Sequence, residues 1–393
     1  MPSSPNPRTL KSIRSQRLLS KTELADFTGI ALSSIKKFER GERTPTYKQV
    51  TGLAAALGVP SFQLYWDKSP ELEPLPADFR KVRPTPADLT PRGLRVLFRS
   101  ERVSNFVRQL IDATGFRVLN LDAQTRRRNS PEARARYIRE VFDDWHMARE
   151  EKLAFSGDKA HRYLGALKLF FEVHGRLAQV NDAPTEDFFG FYLKPRSGVP
   201  TIFVNRKVQS KKSQLFTFCH EYYHYYLQEE GVSNPFRARN NIERQCNQFA
   251  AEFIAPEKLV VSLYDSAGRT NNADKSSLVR YVSSNSLLSM HASAIRLREL
   301  EFVSERFLRS WISAHRNSFE EEKIEEKGDG QQWGPPHAKS VSEIGHLPFY
   351  LSIIALREKA VDAIDISESL GVSLTLQEKS LDLARRRIEA AID

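Results

Sequence analysis

The chain has 393 residues, 40% hydrophobic and 27% charged, which fits a globular protein of two or three domains and excludes a disordered or fibrous one. Its two cysteines, Cys219 and Cys246, argue against a disulfide framework and for a reducing compartment. No apolar run reaches the roughly eighteen residues that span a bilayer. The start, Met1 to Arg8, lacks an apolar signal core, so a cytoplasmic protein with no membrane partner is expected. The net charge of +10 is unevenly placed. Residues 1–66 hold ten Lys and Arg against four Asp and Glu, a net +6, which points to a nucleic-acid-facing module.

In chain order, Thr9 to Leu18 reads as a basic helix with Leu10, Ile13 and Leu18 inward. Ser20, with Glu23 three residues on, forms a capping box for a helix carrying Leu24, Ala25 and Phe27. Gly29 supplies the turn, and a short helix from Ala31 to Glu39 buries Ile35 and Phe38 before Gly41. Another helix, Tyr47 to Leu57, stops at Gly58-Val59-Pro60. Two short helices joined by a glycine turn are helix-turn-helix geometry. The stretch Ser20-x-x-Glu23-Leu24-Ala25, Gly29-Ile30, Ile35-x-x-Phe38-Glu39-x-Gly41-x-x-x-Pro45 and Leu53-Ala54-x-x-Leu57-Gly58-Val59 resembles the phage-repressor-like Xre DNA-binding family. The resemblance implies base readout of an operator duplex by Leu32, Ser33, Lys36 and Lys37, with Lys21, Arg40 and Arg43 near phosphates. Ala31 departs from the family's usual Ser or Thr cap.

Asp67 to Pro91, rich in proline and charge, reads as an extended linker. Gly93 to Ala113 reads as an amphipathic helix whose arginines form a solvated face. Further helices are expected from Pro131 to about Arg149 and from His161 to Glu172. The aromatic and β-branched runs Asp187–Leu193 and Pro200–Asn205 read as two strands of a small sheet.

The helix expected from Ser213 to Glu229 carries H-E-x-x-H at His220, Glu221 and His224. Helical i, i+4 spacing sets both imidazoles on one face to share a zinc ion, with Glu221 beside them to take a proton. Leu227 and Glu230 stand where a metzincin needs glycine and histidine, which excludes that class. Glu243, nineteen residues past His224, offers the third ligand, with His291 as the alternative; Asn247, one turn after Glu243, offers a hydrogen bond to a ligand imidazole. Cys219 and Cys246 flank these ligands and read as inert, buried small residues rather than redox switches.

The blocks Phe216-Thr217-x-x-His220-Glu221-x-x-His224 and Glu243-x-x-Cys246-Asn247-x-Phe249-Ala250-Ala251-Glu252-x-x-x-Pro256 resemble the ImmA/IrrE family of bacterial metallopeptidases. The resemblance implies zinc on His220, His224 and Glu243, Glu221 as general base, and cleavage of a helix-turn-helix repressor. Tyr222 and Tyr223 are bulkier than the family's usual pair and are expected to narrow the cleft.

The expected fold class is multidomain and mainly α: an all-α helix-turn-helix domain, an α+β zincin-like metallopeptidase domain with a small sheet, and a helical C-terminal region. Boundaries are expected at 1–68 (DNA-binding), 69–92 (linker), 93–270 (metallopeptidase), 271–318 (helical, winged-helix-like), 319–338 (polar hinge) and 339–393 (helical unit). In that last unit, Ile364 to Ser373 resembles a degenerate helix-turn-helix suited to partner docking. The expectation is a bacterial, nucleoid-associated regulator with a zinc metalloendopeptidase that cleaves a repressor, a co-encoded partner or its own amino-terminal half, with homodimerisation left open. The rival is a transcription factor or toxin–antitoxin component whose peptidase-like domain senses a ligand or metal without proteolysis.

Overall fold

Polar caps and glycines divide the amino-terminal region into short helices. In the computed structural model, which describes residues 4–393 apart from 75, 79–88, 118–124, 126–127, 209, 234–239, 271–273 and 316–334, α1 (Pro7–Gln16) starts where Asn6 accepts the backbone N–H groups of Arg8 and Thr9. α1 ends two residues earlier than expected, and the chain turns with Leu18 at φ 56°. Leu18 is therefore exposed, and Leu19 takes the buried place assigned to it. α2 (Lys21–Thr28) carries the Ser20–Glu23 capping box and closes at left-handed Gly29. α3 (Leu32–Arg40) begins at Ala31 without a side-chain cap, and α4 (Tyr47–Leu57) leads into a 3-10 turn at Ser61–Tyr65.

The chain continues through β1 (Ala77–Asp78), α5 (Pro91–Thr114), α6 (Pro131–Met147), a helical turn at Glu150–Leu153, α7 (Lys159–Val173), β2 (Leu177–Asn181), β3 (Gly190–Leu193) and β4 (Thr201–Asn205). Then come α8 (Lys211–Leu227), β5 (Gly231–Ser233), α9 (Asn241–Ile254), α10 (Glu257–Thr270), α11 (Lys275–Asn285), α12 (Met290–Glu299) and α13 (Glu305–Ala314). The carboxy-terminal helices are α14 (Pro336–Ile344), α15 (Leu347–Arg357), α16 (Ala363–Leu370) and α17 (Leu374–Ile392). The chain is mainly α with a small mixed sheet. The polar hinge expected at 319–338 falls mostly outside the described residues.

The sheet order is β1-β5-β3-β4-β2, with β1/β5 and β2/β4 parallel and β3 antiparallel to both its neighbours. Only β3 and β4 were expected. β1 lies within the segment read as linker, so part of that segment is paired into the sheet rather than free. Strand periodicity gives the sheet two buried faces. Ala178, Val180, Tyr192, Ile202 and Val204 join the core built by α6, α7, α8 and α9. Phe191, Leu193, Phe203 and Val232 join Leu94, Leu97 and Phe98 of α5 and the helix-turn-helix residues Ile35, Phe38 and Leu57.

Helices α1–α4 are therefore docked on the sheet through α5. Arg17, 2% exposed, holds Glu101 with Nη1–Oε2 at 2.8 Å and Nη2–Oε1 at 3.1 Å. Its Nε donates to the Leu57 carbonyl at 3.1 Å, and its guanidinium lies 4.1 Å over the Phe98 ring. Gly58 sits so close to Phe98 that a Cβ there would come within 2.2 Å of the Phe98 Cβ.

The carboxy-terminal unit folds back on its own chain. Ile366 and Leu370 share a core with Val103, Val107 and Leu110 of α5, so one face of the segment read as a partner-docking element is covered internally, while its Ile364 is 60% exposed. α14 lies along β2. Glu172 accepts from the His346 backbone N–H at 2.8 Å, and Lys168 Nζ donates to the Ser342 carbonyl at 2.6 Å. This packing also corrects the reading of the α5 arginines: Arg99 and Arg102 are half-buried beneath the carboxy-terminal helices rather than solvated.

Candidate metal centre and nucleic-acid surface

α8 is capped by Ser210, which accepts from the Ser213 N–H, and it packs across β3 and β4. That places His220, Glu221 and His224 at the sheet, all buried, with the two imidazole centroids 5.1 Å apart. α9 starts at Asn240, whose side chain accepts the Glu243 N–H at 2.9 Å, so Glu243 stands in the first turn facing α8. Its carboxylate meets both imidazoles, with Oε2 at 3.4 Å from His220 Nε2 and Oε1 at 3.2 Å from His224 Nε2. Asn247 Oδ1 lies 2.8 Å from His220 Nδ1; with that nitrogen donating, Nε2 is left with its lone pair toward Glu243.

The electrostatics suit a cation. Burial opposes ionisation of Glu243, but the two imidazoles outweigh it and hold the carboxyl at about 2. Burial likewise opposes charge on His220, yet Glu243 draws it upward, whereas burial pulls His224 down. His220 Nε2 and Glu243 Oε2 are buried without hydrogen-bond partners among the described residues. At 3.4 Å from each other, in a dry site, the two atoms have the donor character that suits a shared cation. The Cys246 thiol is a rival donor, since His220, His224 and Cys246 present ligand atoms within 4.8 Å of one another. Burial pushes that thiol well above its ordinary range, while the two Nε2 atoms face the Glu243 carboxylate. His291 stands on α12, outside that grouping.

Glu221, one residue past His220, turns toward the sheet. Its Oε1 accepts from the Ser233 hydroxyl of β5, and its Oε2 is buried without a partner among the described residues. Burial pushes its carboxyl up to about 8 against the pull of His220 and Ser233. Gly190 of β3 makes room for it: a Cβ there would lie 2.6 Å from Glu221 Oε1 and 2.7 Å from Thr217 Cγ2. Sequence reasoning missed both Gly190 and Ser233. Tyr222 is core, and Tyr223 stacks on Phe249 at 4.9 Å, so these residues pack α8 against α9 rather than line a cleft.

On the opposite side of the sheet, α3 presents Ser33, Lys36, Lys37 and Arg40 to solvent, while Leu32 is partly packed into the core. Lys21 is tied to buried Glu39 at 3.5 Å, which Arg14 also holds at 2.5 Å. Arg43 donates to Ser34 Oγ at 3.2 Å, and Arg40 pairs with Glu42 at 3.2 Å. The exposed residues thus form one cationic strip on α3, with Lys21 and Arg43 held beside it.

Comparison with known families matches residues 172–265 to a peptidase family described as the IrrE N-terminal-like domain, and residues 10–64 to the helix-turn-helix family. No curated protein and no solved structure matched significantly. No helix among the described residues is long and apolar enough to cross a membrane.

Proposed function

We propose that this chain, a helix-turn-helix domain joined to an ImmA/IrrE-type peptidase domain, is a DNA-binding regulator with zinc-dependent endopeptidase activity against a repressor-type protein. The observation that carries the reading is the meeting of Glu243 with both α8 imidazoles, beside a Glu221 anchored separately by Ser233. His220, His224 and Glu243 would hold the ion. Zinc, when bound, supplies Lewis acidity toward a peptide carbonyl and lowers the pKa of water at the site from 15.7 to about 7.

The chain's own groups then have separable tasks. Asn247 fixes the His220 tautomer that keeps Nε2 available. Glu221 takes a proton from the attacking water at its Oε2 and passes it to the leaving amine. Ser233 holds Oε1, and with it the direction of the carboxylate. The exposed α3 strip would hold the protein at an operator duplex in the bacterial cytoplasm.

The test incubates zinc-loaded protein with the helix-turn-helix proteins encoded beside it, in parallel with Glu221→Gln. Cleavage by the wild type and not by the variant, with zinc retained in both, supports the reading; zinc and DNA binding without cleavage of any of them by either form refutes it. A second reading, sensing without proteolysis, draws on depth: His220, Glu221 and Glu243 are each 0% exposed.

A further inference from the structure

A cavity of about 320 Å³ lies between α4, α5, β2, β4 and α14, with Ala55, Arg95, Arg99, Arg102, Gln179 and Phe203 among its lining residues. It lies against the helix-turn-helix side of the sheet, because Phe203 belongs to the core shared with α5 and α4 while Glu221 packs against Gly190 on the other face. The three arginines stand at i, i+4 and i+7 of α5, one helical stripe of like charge. Arg95 is exposed, but Arg99 and Arg102 are half-buried, and like charges so placed are unfavourable unless an anion joins them.

Nearby acids meet that need only in part: Glu343 in the wall supports the charge on Arg99 and Glu368 that on Arg102, but burial outweighs both. Asp182 and Glu343 are both engaged by Arg206, at 2.9 Å and 2.7 Å. Arg99 gives one nitrogen to the Leu370 carbonyl at 3.3 Å, and Arg102 Nε is buried with no hydrogen-bond partner among the described residues. Gln179, 5% exposed, likewise leaves Oε1 without a donor among them. Arg95 reaches across to the helix-turn-helix, its guanidinium 5.8 Å over the Phe27 ring of α2.

We propose that this cavity binds a small organic phosphate of mononucleotide size. Guanidinium forks match phosphate oxygens bidentately, and a dianion answers a stripe of three charges better than a single carboxylate does. Inorganic phosphate alone would leave most of a space equal to roughly ten waters unfilled. The apolar walls of Val96, Phe203 and Ile344 and the Gln179 acceptor suit a ring bearing an N–H or O–H donor. Ala55 on α4 and the Arg95–Phe27 contact place the ligand where it would tighten the docking of the DNA-reading helices. Binding in this cavity requires neither zinc nor proteolysis.

The experiment titrates the full-length protein calorimetrically with AMP, GMP, adenosine, inorganic phosphate and citrate at matched ionic strength. It is repeated on Arg99→Gln, Arg102→Gln and on Ala55→Phe, which fills the cavity without removing a charge; circular dichroism checks the fold of each. A mononucleotide should bind more tightly than phosphate, citrate or adenosine, and lose on the order of tenfold to a hundredfold in each arginine variant. Hydrogen exchange of the α4 amides should slow on binding in the wild type and not in Ala55→Phe. The proposal is overturned if neither mononucleotide outcompetes phosphate and citrate, or if folded variants bind like the wild type.

Discussion

Replacing Arg17 with methionine would leave the Glu101 carboxylate buried without its counter-charge. In the native chain Arg17 gives it two hydrogen bonds, at 2.8 Å and 3.1 Å, and burial still pushes the Glu101 carboxyl above its ordinary range. Without Arg17 the carboxyl would take up a proton as the chain folds. At neutral pH that costs about 1.4 kcal/mol for each of the roughly three units separating pH 7 from the ordinary glutamate pKa, or about 4 kcal/mol. Direct breakage of buried pairs costs a similar ~3–5 kcal/mol. A raised folded-state pKa contributes stability that is full below the unfolded pKa of about 4.3 and is lost as pH rises through the folded value. The Arg17→Met penalty should therefore be largest near pH 7.5 and shrink toward pH 5. Denaturant unfolding of wild type, Arg17→Met and Arg17→Met/Glu101→Met at both pH values measures it, and the double variant should recover most of the loss. A penalty below about 1 kcal/mol, or one independent of pH and not relieved by the second substitution, would refute the reasoning.

Three further outcomes are expected. Asn247→Ala should weaken zinc binding by about 10- to 100-fold in chelator competition, through loss of the His220 Nδ1 partner; unchanged affinity would remove Asn247 from the site. Gly190→Ala should lower peptidase turnover by about a hundredfold with zinc affinity unchanged, because its methyl displaces the Glu221 carboxylate; equal turnover would show that this carboxylate is not constrained by β3. Lys168, pulled down to about 8 by burial, penalises the fold below that pH and is relieved as pH rises toward its ordinary value near 10.5. The stability of Lys168→Met relative to wild type should thus be more favourable at pH 7 than at pH 10, by up to about 3 kcal/mol, and a difference constant with pH would contradict this.

What was readable in the sequence was readable for local reasons. His220 and His224 share a face because helical spacing demands it, and Glu243 stands out on a helix nineteen residues past His224, in a block that resembles the ImmA/IrrE family. Ser20 with Glu23 announces α2 in the same way. Gly190 and Ser233 carry no such signal, since their place against Glu221 depends on the pairing of β3 with β5, strands of four and three residues. The α5 arginines misled because polar residues opposite an apolar stripe normally face water. Here α5 is flanked by the helix-turn-helix and sheet core at Leu94, Leu97 and Phe98 and by the carboxy-terminal core at Val103 and Leu110, so its arginine face is also partly covered.

The two-faced sheet bears on what the site can cut. Ile35, Phe38 and Leu57 share a core with Phe98, Phe188 and Phe203, across the sheet from Glu221. A cut by this chain within its own α1–α4 would first have to open that core and the buried Arg17–Glu101 pair, against several kcal/mol. The linker is placed differently. β1 pairs with β5, and β5 contributes the Ser233 hydroxyl that holds Glu221, so Ala77–Asp78 lies at the sheet edge, on the strand beside the one that carries that hydroxyl. A cut there would sever the covalent link between α1–α4 and the rest of the chain while leaving their docking core intact. Self-cleavage should therefore yield an amino-terminal fragment ending between residues 67 and 91, read by intact-mass spectrometry of zinc-loaded protein and absent from Glu221→Gln. A fragment ending inside residues 7–57 would show that the docked helices open far more readily than their packing allows.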